Sequence, residues 1–197
     1  MTLVLAPSAL AKPLKLAALG DSLTAGYGLP PGQAFPDVLA AALKAKGWDV
    51  EVVNAGVSGD TAADGLARFD WSVPEDANAI VVELGANDML RGADPAATEL
   101  TLSQILAKAR AAHMAILLAG MLAAPNYGAD YKRRFDAIYP ELAQKFGVAL
   151  YPFFLDGVAA NPALQLPDGL HPNRAGVERI VKGILPSVEA VLAQAKR

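Results

Sequence analysis

The chain has 197 residues, 53% hydrophobic and 19% charged, with a net charge of −3. That composition excludes an intrinsically disordered chain, and mild acidity without a basic stripe gives nucleic-acid binding no electrostatic footing. Cysteine is absent and histidine occurs twice, which excludes disulfides, a cysteine nucleophile and a histidine-rich metal site, and leaves His113 or His171 as the imidazole base of any acid–base chemistry.

The length suits one domain, placed at residues 13–197. Residues 1–12 read either as a plain N-terminal extension or as a signal-peptide remnant. Leu3-Val4-Leu5 and Ala9-Leu10-Ala11 form a short apolar stretch with a small-x-small pattern before Lys12, but the positive start of a secretory signal is missing. A signal remnant implies a periplasmic or secreted protein, and an extension implies a cytoplasmic one. No run approaches the ~18 apolar residues that span a membrane. Composition leaves the oligomeric state open.

Taken in chain order, residues 14–19 form the first predicted strand. A predicted helix over 34–46 is rich in Ala and Leu and stops at Gly47. A second strand follows at 50–53, a capped helix at 60–69 and a third strand at 79–84. Asp94-Pro95 opens the next helix, 95–112, with an N-cap followed by proline at the first helical position. The fourth strand is 115–119 and the next helix, 131–146, ends at Gly147. A fifth strand at 148–151 is weaker. The last helix, 174–196, contains Pro186, where a bend is possible.

The strand segments are continuously apolar, as in strands buried on both faces. Their alternation with helices predicts an α/β fold with a parallel sheet between two helical layers, flavodoxin-like, of order 2-1-3-4-5. In such sheets ligands bind beyond the carboxyl ends of the strands, so the polar residues just after each strand are the ones to weigh.

Gly20-Asp21-Ser22-Leu23 follows the first strand and Ser58-Gly59-Asp60 the second. Gly85-Ala86-Asn87-Asp88 follows the third, and Asp168-Gly169-Leu170-His171 precedes the last helix. A serine between strand and helix is ordinarily an N-cap. At a helix head it also meets free backbone N–H groups that suit a nucleophile whose attack creates an oxyanion. Asp168 lies three residues before His171, within one turn's reach of the imidazole, where a carboxylate would fix the tautomer and support an imidazolium; the two could instead cap the last helix. His113 has no acid nearby in sequence and ends a predicted helix, which reads as structural. Asn87 and Gly59 are ordinary turn residues taken singly; beside a nucleophile, a side-chain amide and a backbone N–H can together bind an oxyanion.

These four blocks, in this order, resemble the SGNH hydrolase superfamily, the GDSL esterases, and the first of them is the GDSL signature itself. The likeness runs over roughly residues 14–195. Val82-Glu83-Leu84-Gly85, Asn126-Tyr127-Gly128, Ala137-Ile138-Tyr139-Pro140 and Pro152-Phe153-Phe154 are similar to the bacterial thioesterase I, lysophospholipase L1 and arylesterase subgroup. One departure is Ala86, where close relatives often have a second glycine.

The resemblance implies an SGNH hydrolase fold and a hydrolase of small-molecule esters or thioesters that needs no cofactor or metal. It implies Ser22 as nucleophile, His171 and Asp168 completing a triad, and an oxyanion hole from the Ser22 and Gly59 amides and the Asn87 side chain. The apolar loop after the fourth strand, with Met121 and Tyr127, is the expected acyl-binding segment. A carbohydrate O-acetylesterase of the same fold and a non-catalytic flavodoxin-like binding module are the alternatives. No G-x-S-x-G elbow and no phosphate-binding glycine loop occurs.

Overall fold

Five parallel strands form the middle layer of the computed structural model, which describes residues 12–196. They are β1 (Leu14–Gly20), β2 (Val50–Gly56), β3 (Ala79–Glu83), β4 (Ala115–Ala119) and β5 (Ala149–Tyr151). Their order is β2-β1-β3-β4-β5, as the alternating pattern predicts. Apart from Lys12, the N-terminal segment weighed above lies outside the described residues.

Strands β1, β3 and β4 occupy the middle of the sheet, and β3 is buried along its whole length. The edge strand β2 is different: Glu51 and Asn54 face solvent, because an edge strand has one flank open to water. The register aligns Gly20 of β1 with Gly56 of β2 and Glu83 of β3, so the three strands end level and their following turns converge.

The helices are α1 (Ser22–Ala25), α2 (Phe35–Ala45), α3 (Ala62–Ala67), α4 (Phe69–Ser72), α5 (Ala86–Leu90), α6 (Pro95–Ala111), α7 (Ala129–Phe146) and α8 (Arg174–Ala195). One helical layer packs α2 on α8; the other packs α6 on both α3 and α7. Leu16, Leu19, Ile80, Val82, Leu117 and Leu118 from the sheet, with Phe35, Leu102, Phe135 and Ile184 from the helices, are inaccessible to solvent and belong to one hydrophobic core.

One element departs from the sequence expectation. The helix predicted over 60–69 is broken into α3 and α4 at Arg68, whose side chain turns inward instead of continuing a solvent face. Helix α8 runs through Pro186 to Ala195 without ending there. Pro186 and Lys182 both face solvent, so the carbonyl deprived of its intrahelical donor is open to water. Among the described residues no helix is long and apolar enough to cross a membrane.

The amino ends of the strands lie at the opposite pole of the molecule from those converging turns. There Lys12, Asn78, His113, Gln194 and Ala195 line one shallow depression. His113 sits in the turn after α6 with φ 58°, in the left-handed region that non-glycine residues seldom adopt.

Candidate active site

Gly20 ends β1 at a point where no side chain fits. A Cβ there would stand 2.1 Å from Thr24 Oγ1 and 2.7 Å from Glu83 Oε2. The chain can therefore turn tightly into α1, which Asp21 caps by accepting from the Leu23 N–H at 2.9 Å. Ser22 is the first residue of that helix, so its own N–H has no intrahelical acceptor.

His171 reaches Ser22 from the loop before α8. That loop is a narrow hairpin: Leu166 N–H donates to His171 O at 2.8 Å, and Gln165 bridges Pro172. Asn173 closes its neck, donating to Ala163 O at 3.0 Å and Gln165 O at 3.2 Å while capping α8 through the Gly176 N–H. Within it His171 Nε2 lies 2.9 Å from Ser22 Oγ, and Nδ1 lies 2.7 Å from Asp168 Oδ2.

Asp168 Oδ1 accepts from the backbone N–H groups of His171, at 3.0 Å, and Leu170, at 2.9 Å. These two backbone bonds, with the imidazole bond behind them, hold the Asp168 carboxyl down at about 2. The carboxylate is thus ionised wherever the imidazole is neutral, and it stands where it fixes the tautomer with Nε2 free to accept a proton.

The opposite wall is built from the turns after β2 and β3. Gly59 adopts φ +89°, a conformation that favours glycine. Asn87 Nδ2 donates to Asp21 Oδ2 at 3.0 Å and to Asp60 O at 3.0 Å. Arg91, one residue past α5, donates to Gly59 O at 2.7 Å and ties these two turns together.

Beneath them Arg68, buried, donates to Asp60 Oδ2 at 2.5 Å, Ala55 O at 2.8 Å, Gly20 O at 2.9 Å and Ser72 Oγ at 3.1 Å. A single guanidinium thus fastens the ends of β1 and β2 and the turn that carries Gly59. A planar, permanently charged fork with five donors suits such a knot.

From Ser22 and His171 a cavity of about 610 Å³ extends along Met89, Leu90, Met121, Leu122, Phe153, Leu155 and Leu170. Met121 lines it. Tyr127 stands outside that lining; its ring stacks on Tyr131 with centroids 5.3 Å apart, and its hydroxyl donates to Leu90 O at 3.3 Å. Among the described residues no three His, Asp or Glu side chains gather as metal ligands would.

The structure therefore brings Ser22, His171, Asp168, Gly59 and Asn87 to one crevice and leaves His113 at the opposite pole. Reading the sequence in order misses Tyr27, whose ring lies 4.5 Å from that of His171 at 36°. It also misses the roles of Asp21 and Arg68. An aromatic between two glycines five residues after the serine was a legible sign for Tyr27. Arg68 carried none, since arginine in a helical pattern ordinarily faces water.

Comparison with known proteins identifies the family. Residues 18–179 match the GDSL-like Lipase/Acylhydrolase family. The chain belongs to that family and is an enzyme that hydrolyses ester bonds. It is 40% identical to Esterase TesA of Pseudomonas aeruginosa, over 90% of this chain and 89% of that protein. It is 45% identical to Thioesterase 1/protease 1/lysophospholipase L1 of Escherichia coli, over 79% and 74%. The crystal structure of AlinE4, an SGNH-hydrolase family esterase, superposes with a TM-score of 0.78 at 44% identity, covering 93% of this chain and 99% of that one.

Proposed function

We propose that the enzyme cleaves carboxylic esters or thioesters of apolar acyl groups, in the manner of an arylesterase, acyl thioesterase or lysophospholipase, through an acyl-enzyme on Ser22. The observation that carries the proposal is the relay from Ser22 Oγ to His171 Nε2, 2.9 Å, and from Nδ1 to Asp168, 2.7 Å, at the mouth of a cavity lined mainly by apolar side chains. Leu, Met and Phe side chains offer a sugar few hydrogen-bonding partners and an acyl chain a surface to bury. The cavity thus favours this reading over a carbohydrate O-acetylesterase.

Ser22 Oγ attacks the carbonyl carbon as its proton passes to His171 Nε2. Negative charge gathers on the carbonyl oxygen, with the Ser22 and Gly59 amides and the Asn87 amide as its donors. The imidazolium, steadied by Asp168, gives its proton to the departing alcohol or thiol. Water then enters on the same base and releases the acid.

A panel of nitrophenyl esters and acyl thioesters of increasing chain length tests the proposal. Ser22→Ala is expected to lower kcat by at least on the order of 10³ in a protein that still unfolds cooperatively. A Ser22→Ala protein with near-normal turnover overturns the assignment.

A further inference from the structure

Glu83, at the end of β3, takes no part in the chemistry above and is fully buried. Its Oε2 accepts from Thr24 Oγ1 at 2.8 Å. Its Oε1 is the one buried side-chain nitrogen or oxygen, among the described residues, without a hydrogen-bond partner. A second buried carboxyl stands beside it: Asp21, 1% exposed. Both Asp21 oxygens are committed as acceptors, Oδ1 from Leu23 N–H at 2.9 Å and Oδ2 from Asn87 Nδ2 at 3.0 Å. The second Asn87 amide hydrogen rests on Asp60 O.

We propose that Asp21 is the positioning residue of the Asn87 amide: its carboxylate grips one amide hydrogen and thereby fixes where the other points. The inference rests on Asn87 serving as an oxyanion donor. The hydrogen that lies on the Asp60 carbonyl in the free enzyme is then the one the oxyanion takes, while Asp21 keeps its hold. A bond to a buried carboxylate is stronger than one between neutral groups, so the amide plane stays fixed as negative charge develops.

An asparagine cannot replace Asp21. Its NH₂ would have to face either the Leu23 N–H or the Asn87 N–H, donor against donor.

The groups around Asp21 settle which of the two acids is charged. Burial, then the Asp21 charge, pushes the Glu83 carboxyl far above the ordinary carboxylate range, so Glu83 stands as a neutral acid. Asp21 itself is raised to about 6 by burial; the Leu23 N–H, His171 and the Asn87 amide pull it down and Asp60 pushes it up. Arg68, whose Nε meets Asp60 Oδ2 at 2.5 Å, offsets that last charge. Asp88 of α5 is occupied by the Ala62 N–H at 2.8 Å and Thr98 Oγ1 at 3.3 Å, and the Tyr139 hydroxyl of α7 by Leu84 O at 2.9 Å. In acid Asp21 therefore takes up a proton, no longer accepts fully on both oxygens, and releases the amide.

The experiment is a double-variant cycle with a nitrophenyl ester, on chains whose folding is checked by circular dichroism. Asp21→Asn and Asn87→Ala should each lower kcat by on the order of 10² with KM within about threefold. The double variant should be no slower than Asn87→Ala alone, because both act on one bond. Losses that multiply in the double variant overturn the proposal.

The pH profile gives a second readout that needs no substitution at Asp21. The acid limb of log kcat in the parent enzyme should approach a slope of two, one proton on the base and one on Asp21, and should fall to one in Asn87→Ala. A slope of one in both overturns the proposal. Glu83→Gln replaces a neutral acid with a neutral amide and should leave kcat within about threefold; a loss as large as that of Asp21→Asn makes Glu83 a charged participant and overturns the arrangement. Full kcat in Asp21→Asn, beside inactive Ser22→Ala and Asn87→Ala, removes this inference alone. Activity in Ser22→Ala removes the reading beneath it.

Discussion

His171 and His113 carry the same side chain at opposite poles of the molecule, and their substitutions should separate cleanly. With His171 as the proposed base, only its neutral imidazole takes the Ser22 proton, so kcat/KM is expected to fall on the acid side as the base is protonated. His113→Gln should retain both the activity and that acid limb, while His171→Gln should lose at least on the order of 10³ in kcat. A pH profile of kcat/KM for each variant checks this, and persistence of the limb in an active His171→Gln protein refutes the assignment. At this scale the crevice residues were legible because Ser22, Gly59 and Asn87 each follow a strand in a glycine-bearing turn and Asp168 and His171 sit three residues apart in the loop before the last helix. The second duty of Asp21 was not. Nothing beside it in sequence points to that duty, since its partner Asn87 lies 66 residues away.

The segment after β4 and the helix α5 line the cavity where the acyl group is proposed to bind. Met121 lines the cavity, so Met121→Trp should fill part of it. We expect kcat/KM for long acyl chains to fall by about tenfold relative to acetyl esters. Tyr127→Phe removes only the 3.3 Å bond to Leu90 O and should change that ratio by less than about threefold. A chain-length series for both variants tests the pair, and an unchanged ratio in Met121→Trp places the acyl group elsewhere. The long helices α6 and α8 were readable from their period, α6 also from its Asp94-Pro95 start, while the cap of α8 is Asn173 rather than Asp168 or His171. The break between α3 and α4 was not, since it depends on Arg68 turning inward toward Asp60, Gly20 and Ala55. Arg68→Ala would leave Asp60 buried without its partner, a loss on the order of 3 kcal/mol. Urea unfolding measures it, and an unaltered midpoint would show that the knot is not needed for stability.

For the molecule as a whole, the strand order followed from alternation and handedness, because continuously apolar strands joined by helices leave few arrangements. The buried carboxyls were not foreseeable: Glu83 lies within an apolar run and reads there as a strand end. Their burial has a thermodynamic signature. Asp21 binds its proton more tightly folded, at about 6, than an ordinary carboxyl does unfolded, near ~3.9. Its contribution to stability is therefore complete below the unfolded value and is lost as pH rises through the folded one. Lowering the pH from 7 to 5 should gain about 1 kcal/mol from this group. Asp21→Asn should remove that part of the pH dependence. Thermal unfolding across the range checks it, and identical slopes for parent and variant contradict it.

The depression shared by Lys12, Gln194 and Ala195 faces away from the crevice, and the chain contains no cysteine. Together these facts make orientation on a solid support a matter of choice. Gln194→Cys supplies a single thiol at the rear of the molecule, so coupling to maleimide beads should display every crevice outward and preserve kcat/KM within about threefold. Leu170→Cys places the thiol on the cavity wall beside His171. Coupling there should turn the mouth against the bead and sharply reduce turnover of a bulky ester, and equal activity on the two supports would mean that substrate reaches Ser22 by another route.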